Sequence, residues 1–195
     1  MEYRTLGGTG LKVSTHCLGT MMFGEWGNTD VDDCVATINA AIDGGINFVD
    51  TADVYSGGES EEIVGRALKG RRDEVILATK VHARMGPDRN DEGNSRVWIM
   101  REVENSLRRL GTDHIDLYQI HRPEAETDVE ETLGTLTDLQ RQGKIRYFGS
   151  STYPGWQMVE AQWASERHPR WAKWVRMCSV QYRGTRIWSP CQAWI

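Results

Sequence analysis

The sequence has few features that would place it outside ordinary globular proteins. Its four cysteines form no C-x-x-C pair, which predicts reduced thiols instead of a disulfide framework or a metal site. It has no apolar run as long as a membrane-spanning helix, and its first residues lack a signal-peptide pattern. It also has no basic excess, and its net charge of −5 argues against a surface for nucleic acid or anionic membrane. These absences favour a cytoplasmic protein that binds neither nucleic acid nor membrane.

The chain does contain a regular alternation of short apolar segments with longer segments of helical period. Six apolar segments follow one another at intervals of roughly 30 residues, the repeat length of a βαβ unit, and predict a parallel sheet. They centre on Leu18, Val49, Leu77, Leu117, Phe148 and Val180. Ahead of them, residues 3–6 and 11–14 flank a glycine-rich turn and predict a β-hairpin.

Apolar stripes and glycine stops predict five helices between these strands. The segments are residues 32–43, 59–68, 97–110, 129–142 and the stretch after 155. Thr29 is expected to cap the first helix. In the last helix, Trp156, Val159 and Trp163 share one face, a spacing that is typical of core packing.

Four polar residues fall where predicted strands end or in the loops just beyond them. Asp50 ends the second strand, Tyr55 follows it, Lys80 ends the third strand and His121 ends the fourth. Taken singly, each has an ordinary structural explanation: a helix cap, a surface ring, a solvated strand end and a hydrogen-bonded core histidine. The carboxyl ends of strands in a parallel barrel open on one face, however, so together they predict a common site.

Several ordered motifs resemble those of the aldo-keto reductase family. They occupy residues 3–14, 17–24, 48–55 (Phe-Val-Asp-Thr-Ala-Asp-x-Tyr), 58–61, 78–80, 116–121 (Asp-Leu-Tyr-x-Ile-His) and 149–152. This resemblance implies an α/β fold of the (β/α)₈ TIM-barrel type with an N-terminal hairpin. It covers residues 3–181, and the tail 183–195 diverges from it. We therefore expect residues 1–195 to form a single incomplete barrel domain that ends after about six βα units.

The resemblance also assigns the site residues. It implies a catalytic tetrad of Asp50, Tyr55, Lys80 and His121 and no metal. Its chemistry would be the reduction of aldehydes and ketones to alcohols by hydride transfer from NADPH. An ammonium group beside a phenol favours the phenolate, which suits Lys80 and Tyr55 to proton transfer. Histidine can polarise the substrate carbonyl.

For the cofactor NADP(H), the resemblance implies Ser151, Thr152 and Gln181 at the nicotinamide end. The family commonly has Asn where this chain has Thr152, and threonine keeps an oxygen acceptor without the amide donors.

Three functions stay open on the sequence. The first is an NADP-dependent reductase of small carbonyl compounds, impaired because the loops that build the phosphate site are missing. The second is a non-catalytic regulatory barrel, like the channel-associated subunits of this fold. The third is an inactive, incomplete gene product. Open sheet edges additionally predict self-association.

Overall fold

A parallel five-stranded sheet forms the centre of the fold in the computed structural model, which describes residues 1–168. Each strand lies beside the next one along the chain, in the order β3-β4-β5-β6-β7. The strands are β3 (Leu18–Gly19), β4 (Phe48–Asp50), β5 (Ile76–Val81), β6 (Ile115–Ile120) and β7 (Ile145–Ser150). Since a helix connects each of these strands to the next, the chain is a series of consecutive βα units.

Five helices cover one face of this sheet. They are α1 (Val31–Asp43), α2 (Glu59–Ala67), α3 (Arg96–Leu110), α4 (Val129–Arg141) and α5 (Gly155–Arg167). The cap of α1 is Asp30, whose carboxylate accepts from the backbone amides of Asp32 and Asp33, so the expectation of Thr29 was wrong by one residue. A carboxylate at this position is also stabilised by the positive end of the helix dipole.

The predicted hairpin is confirmed and packs against the other face of the sheet. Its antiparallel strands are β1 (Tyr3–Thr5) and β2 (Lys12–Ser14). The Asn47 side chain fastens it, because Asn47 Oδ1 accepts from Ser14 N at 2.6 Å and Asn47 Nδ2 donates to Lys12 O at 3.0 Å. Leu6 and Val13 are buried there.

Strand alternation divides the apolar side chains into two clusters. One face of the sheet packs on the helices through residues such as Leu77 and Tyr118. The other face carries Phe48, Ala78 and Leu117 against the hairpin, as expected for the interior of a barrel. The same inner face carries Asp50 and Lys80 at the carboxyl ends of β4 and β5.

The tryptophan stripe of α5 is not in the core of the described structure. Trp156, Val159 and Trp163 are 67%, 70% and 60% exposed. The helix instead packs through small residues on its opposite side, Ala161 and Ala164, which allow close approach. Helical spacing therefore identified a common face correctly, but the small residues determine which face is buried.

The predicted α/β class and the (β/α) TIM-barrel type are confirmed by this sheet and its alternating helices. The sixth predicted strand, around Val180, and the tail 183–195 lie outside the described residues. Within residues 1–168, no helix is long and apolar enough to cross a membrane.

Candidate active site

The four candidate catalytic residues meet at the carboxyl end of the sheet. Asp50 is the last residue of β4, Lys80 lies near the end of β5, and His121 directly follows β6. The backbone continues the ladder beyond the strands, since His121 N donates to Val81 O at 2.9 Å. Tyr55 begins a 3₁₀ turn (Tyr55–Gly58) just after β4.

Lys80 connects Asp50 with Tyr55. Its buried ammonium group donates to Asp50 Oδ2 at 2.5 Å, to Thr51 O at 2.7 Å and to the Tyr55 hydroxyl at 3.2 Å. Burial by itself disfavours the charge, but the neighbouring Asp50 and Tyr55 outweigh it and raise the pKa of Lys80 above its usual value. The amine is therefore a permanent cation beside the phenol at neutral pH.

The turn that carries Tyr55 has an unusual backbone and is tied to the loop after β3. Ser56 has a positive φ of 50°, and Gly57 and Gly58 also lie in the left-handed region. The Ser56 hydroxyl compensates by donating to Phe23 O at 3.0 Å and accepting from Trp26 N at 3.1 Å. These bonds stabilise the left-handed backbone of Ser56, which is uncommon for a non-glycine residue, and so hold the turn that carries Tyr55.

Two rings flank the Tyr55 phenol. The His121 ring lies 5.8 Å from it, centre to centre, in an edge-on arrangement, and the Trp26 ring lies at 6.1 Å. Burial, helped by the positive charges of Lys80 and Arg122, lowers the pKa of His121 to about 3. His121 is therefore neutral at physiological pH, and it can donate a hydrogen bond without carrying a charge.

Comparison with known proteins identifies the family. The model of the Aldo/keto reductase family matches residues 16–184. The chain belongs to the aldo-keto reductase family. The match covers every strand of the parallel sheet and the positions of all four candidate catalytic residues, so the fold is that of an aldo-keto reductase chain.

Similar proteins include reductases and proteins named for another role. The aldo-keto reductase YhdN of Bacillus subtilis is 46% identical over 78% of this chain and 47% of its own length. The uncharacterised oxidoreductase YrpG of the same organism is 43% identical over 86% of this chain and 54% of its own length. A probable voltage-gated potassium channel subunit beta of Arabidopsis thaliana is 38% identical over 86% of this chain and 51% of its own length. The chain thus spans about half the length of these relatives.

The residues expected at the nicotinamide end lie partly beside the tetrad. Ser151 is buried, and its backbone amide donates to Ile120 O at 2.8 Å. Thr152 is exposed, has a φ of 53°, and donates from its hydroxyl to His121 O at 2.6 Å. Gln181 lies outside the described residues. The Thr152 hydroxyl already donates to His121 O, and its oxygen can still accept a hydrogen bond from a carboxamide, which both donates and accepts.

Sequence reasoning missed Gln119. This fully buried residue of β6 donates from Nε2 to Asp50 Oδ1 at 3.0 Å, so it contacts the oxygen of Asp50 that Lys80 does not use. A signal was present, because Gln119 is a polar residue two positions before His121 and therefore on the same face of an otherwise apolar strand.

A buried ion-pair network lies behind the Tyr55 turn. Arg109 of α3 pairs with Glu61 of α2 at 2.6 Å and also with Glu102. Glu61 accepts from the Thr79 hydroxyl of β5 at 2.5 Å. Burial raises the pKa of Glu61, and Arg109 opposes that rise. The network therefore joins two helices to the strand that carries Lys80.

Proposed function

We propose that this chain provides the catalytic tetrad of a carbonyl reductase that converts aldehydes and ketones to alcohols with NADPH. The observation that carries the proposal is the position of Lys80 Nζ, within hydrogen-bond distance of both Asp50 and the Tyr55 hydroxyl. Lysine, aspartate and tyrosine buried together are unfavourable in an ordinary core, and they fit proton transfer to a developing alkoxide.

Tyr55 would supply the proton. A phenol with a pKa near 10 is a weak acid at neutral pH, and the adjacent Lys80 cation stabilises the phenolate that remains after the proton has left. Asp50 keeps Lys80 charged and aimed at the phenol through the contact at 2.5 Å. The proton moves from Tyr55 Oη to the substrate oxygen, and Lys80 keeps its own proton throughout.

His121 would orient and polarise the substrate carbonyl. Because it is neutral, one ring nitrogen carries a hydrogen and can donate it to the carbonyl oxygen next to Tyr55. A preorganised donor stabilises the negative charge that develops on this oxygen during reduction. His121 and Tyr55 must both reach the same carbonyl oxygen, and their ring centres, 5.8 Å apart, are close enough for this.

NADPH, when bound, supplies the hydride for the carbonyl carbon. Ser151 and Thr152 would hold its carboxamide, together with Gln181. The alternative function, a non-catalytic regulatory barrel, has support in the similarity to the channel subunit beta. Against it, the chain keeps all four tetrad residues, and the contacts of Lys80 meet the geometric needs of proton transfer.

The test replaces Tyr55 and compares it with a matched tyrosine. Tyr55→Phe removes only the hydroxyl, and we expect carbonyl reduction to fall by about 10²–10⁴-fold while cofactor binding stays unchanged. Tyr118→Phe is the control, because Tyr118 is also buried but lies on the helix-facing side of β6. The measurement is NADPH consumption with aliphatic and aromatic aldehydes, alongside NADPH titration. Equal turnover by Tyr55→Phe and the parent would remove Tyr55 from the reaction.

A further inference from the structure

Gln119 occupies a position in β6 where the surrounding interior favours an apolar side chain. Its neighbour on the same face, Leu117, belongs to the apolar cluster with Phe48 and Ala78. In register, Gln119 pairs with Lys80 of β5 and Gly149 of β7. It is completely buried. The amide therefore gains nothing from solvent, and its contacts must explain its presence.

Only one half of the amide is satisfied. Nε2 donates to Asp50 Oδ1 at 3.0 Å, whereas Oε1 has no hydrogen-bond partner among residues 1–168. Electrostatics fixes this orientation, because turning the amide over would place its oxygen against the carboxylate. An unpaired buried oxygen costs stability that an apolar side chain would avoid. This local cost indicates that Gln119 is present for the hydrogen bond that its Nε2 group donates to Asp50.

The contact is possible because Ala78 is small. Asp50 lies on β4 and Gln119 on β6, with β5 between them. Ala78 is the register partner of Asp50 on β5, and its methyl group leaves room for the two side chains to meet. The carboxylate of Asp50 thus has one oxygen on Lys80 and the other on Gln119.

We propose that Gln119 is a positioning residue that holds Asp50 Oδ1 and so keeps Lys80 on the Tyr55 hydroxyl. The proposal rests on the function proposed above and names a further residue for that reaction. A neutral amide suits this task, because a cation at the same place would compete with Lys80 for Asp50. Without the amide, both oxygens of Asp50 become available to Lys80, which draws the ammonium away from the phenol.

The phenol of Tyr55 reports on this arrangement without any turnover. Among residues 1–168, the titratable groups that interact electrostatically with the Asp50–Lys80–Tyr55 unit include His121 after β6 and Cys17 before β3. None of them is changed in the variants below. A shift in the Tyr55 titration can therefore be traced to the residue at position 119.

The first experiment titrates Tyr55 by ultraviolet difference spectroscopy in the parent, Gln119→Met and Gln119→Glu. The same titration of each protein with Tyr55→Phe added subtracts the other tyrosines. We expect Tyr55 to ionise at a higher pH in Gln119→Met than in the parent, because the Lys80 cation then lies farther from the phenolate. Gln119→Glu should raise this ionisation pH further, because its carboxylate adds negative charge at that pH. Leu117→Met, on the same face of β6, is the control and should leave the titration unchanged.

The second experiment measures the pH profile of kcat/KM. We expect Gln119→Met to lose roughly 10–100-fold at every pH, the equivalent of one hydrogen bond to a charged group. Gln119→Glu should recover as pH falls, because a protonated glutamic acid can again donate to Asp50. If Tyr55 titrates at the parent's pH in both variants, the inference is overturned. If the titration shifts as expected but the parent reduces no carbonyl, only the proposed function fails.

Discussion

At the scale of single residues, burial changes the chemistry of His121. The ring is 8% exposed and lies near the Lys80 and Arg122 cations, so a further positive charge on it is unfavourable. In the proposed reaction a neutral ring would donate a hydrogen bond and keep its proton, which would leave Tyr55 as the acid. The proposed division of roles between these two residues therefore follows from their surroundings and not from their intrinsic pKa values.

We expect His121 to stay neutral from pH 8 down to pH 5. Its pKa of about 3 lies far below the value near 6.5 of an unfolded histidine. Below pH 6.5 His121 is protonated in the unfolded chain but stays neutral in the folded protein. This difference lowers the free energy of unfolding as the pH falls from 6.5 toward 3. The measurement is an NMR titration of the ring protons, with the urea-unfolded chain as control. A His121 resonance that titrates near pH 6.5 would contradict this assignment.

The residues of the site differ in how far sequence predicts them. Asp50, Lys80 and His121 could be placed, because each stands at the end of an apolar strand and such ends meet in a parallel sheet. Gln119 could not, since its contact with Asp50 depends on strand register and on the small size of Ala78. Register depends on packing across the sheet, which a single strand does not encode.

At the scale of elements, helices α2 and α3 support the Tyr55 turn from behind. Arg109 of α3 packs against Gly58, where an added Cβ would lie 2.8 Å from Arg109 Cδ. Gly58 also has a φ of 102°, a conformation that other residues rarely adopt. The turn therefore depends on glycine for its backbone and on Arg109 for its support.

We expect Arg109→Leu to destabilise the fold by about 3–5 kcal/mol, because it leaves two buried carboxylates, Glu61 and Glu102, without a cation. The loss should grow as pH rises, since unpaired buried carboxylates have raised pKa values and resist losing their protons. Urea unfolding at pH 5 and pH 8 measures it. Arg108→Leu, an exposed neighbour on α3, is the control, and equal losses in both variants would refute the role of the network.

Helix positions were more predictable than helix faces. Apolar period and glycine stops located all five helices to within a few residues. They did not predict that α5 would bury Ala161 and Ala164 and expose Trp156 and Trp163. Both sides of α5 have helical spacing, and the choice between them depends on how closely the helix must approach its neighbours.

At the scale of the whole molecule, the hairpin packs on the inner face of the sheet near the start of β4, away from the candidate site. Leu6 and Val13 add to the inner cluster with Phe48, and Asn47 bridges the hairpin to the start of β4. The inner face also carries Asp50 and Lys80, at the carboxyl ends of β4 and β5. Loosening the hairpin would therefore give water access to this interior from the amino ends of the strands.

We expect Leu6→Ala to reduce the free energy of unfolding by about 2–5 kcal/mol, because Leu6 is 6% exposed and its removal leaves a cavity. Val97→Ala, at a position that is 58% exposed, should change it by less than about 0.5 kcal/mol. Chemical denaturation measures both. A similar small effect of the two substitutions would show that the hairpin contributes little to the fold.

The fold class was predictable because its signal repeats along the chain. Five successive βα units reinforce one another, so an error in one boundary leaves the overall class intact. Self-association stays a prediction. Among residues 1–168, β3 and β7 are the outer strands of the sheet through which it would occur.

The bonds that tie the loop of residues 20–28 to the region of Tyr55 have a consequence for how substrate would reach the proposed site. Ser56 contacts Phe23 and Trp26, and Glu59 accepts from Glu25 N at 2.8 Å. Two of these bonds reach the turn itself and the third reaches the first residue of α2, so any outward swing of this loop would pull the phenol out of alignment. We therefore expect the loop to be a stationary wall of the entrance, with substrate and product passing on the side of the longer loop between β5 and α3.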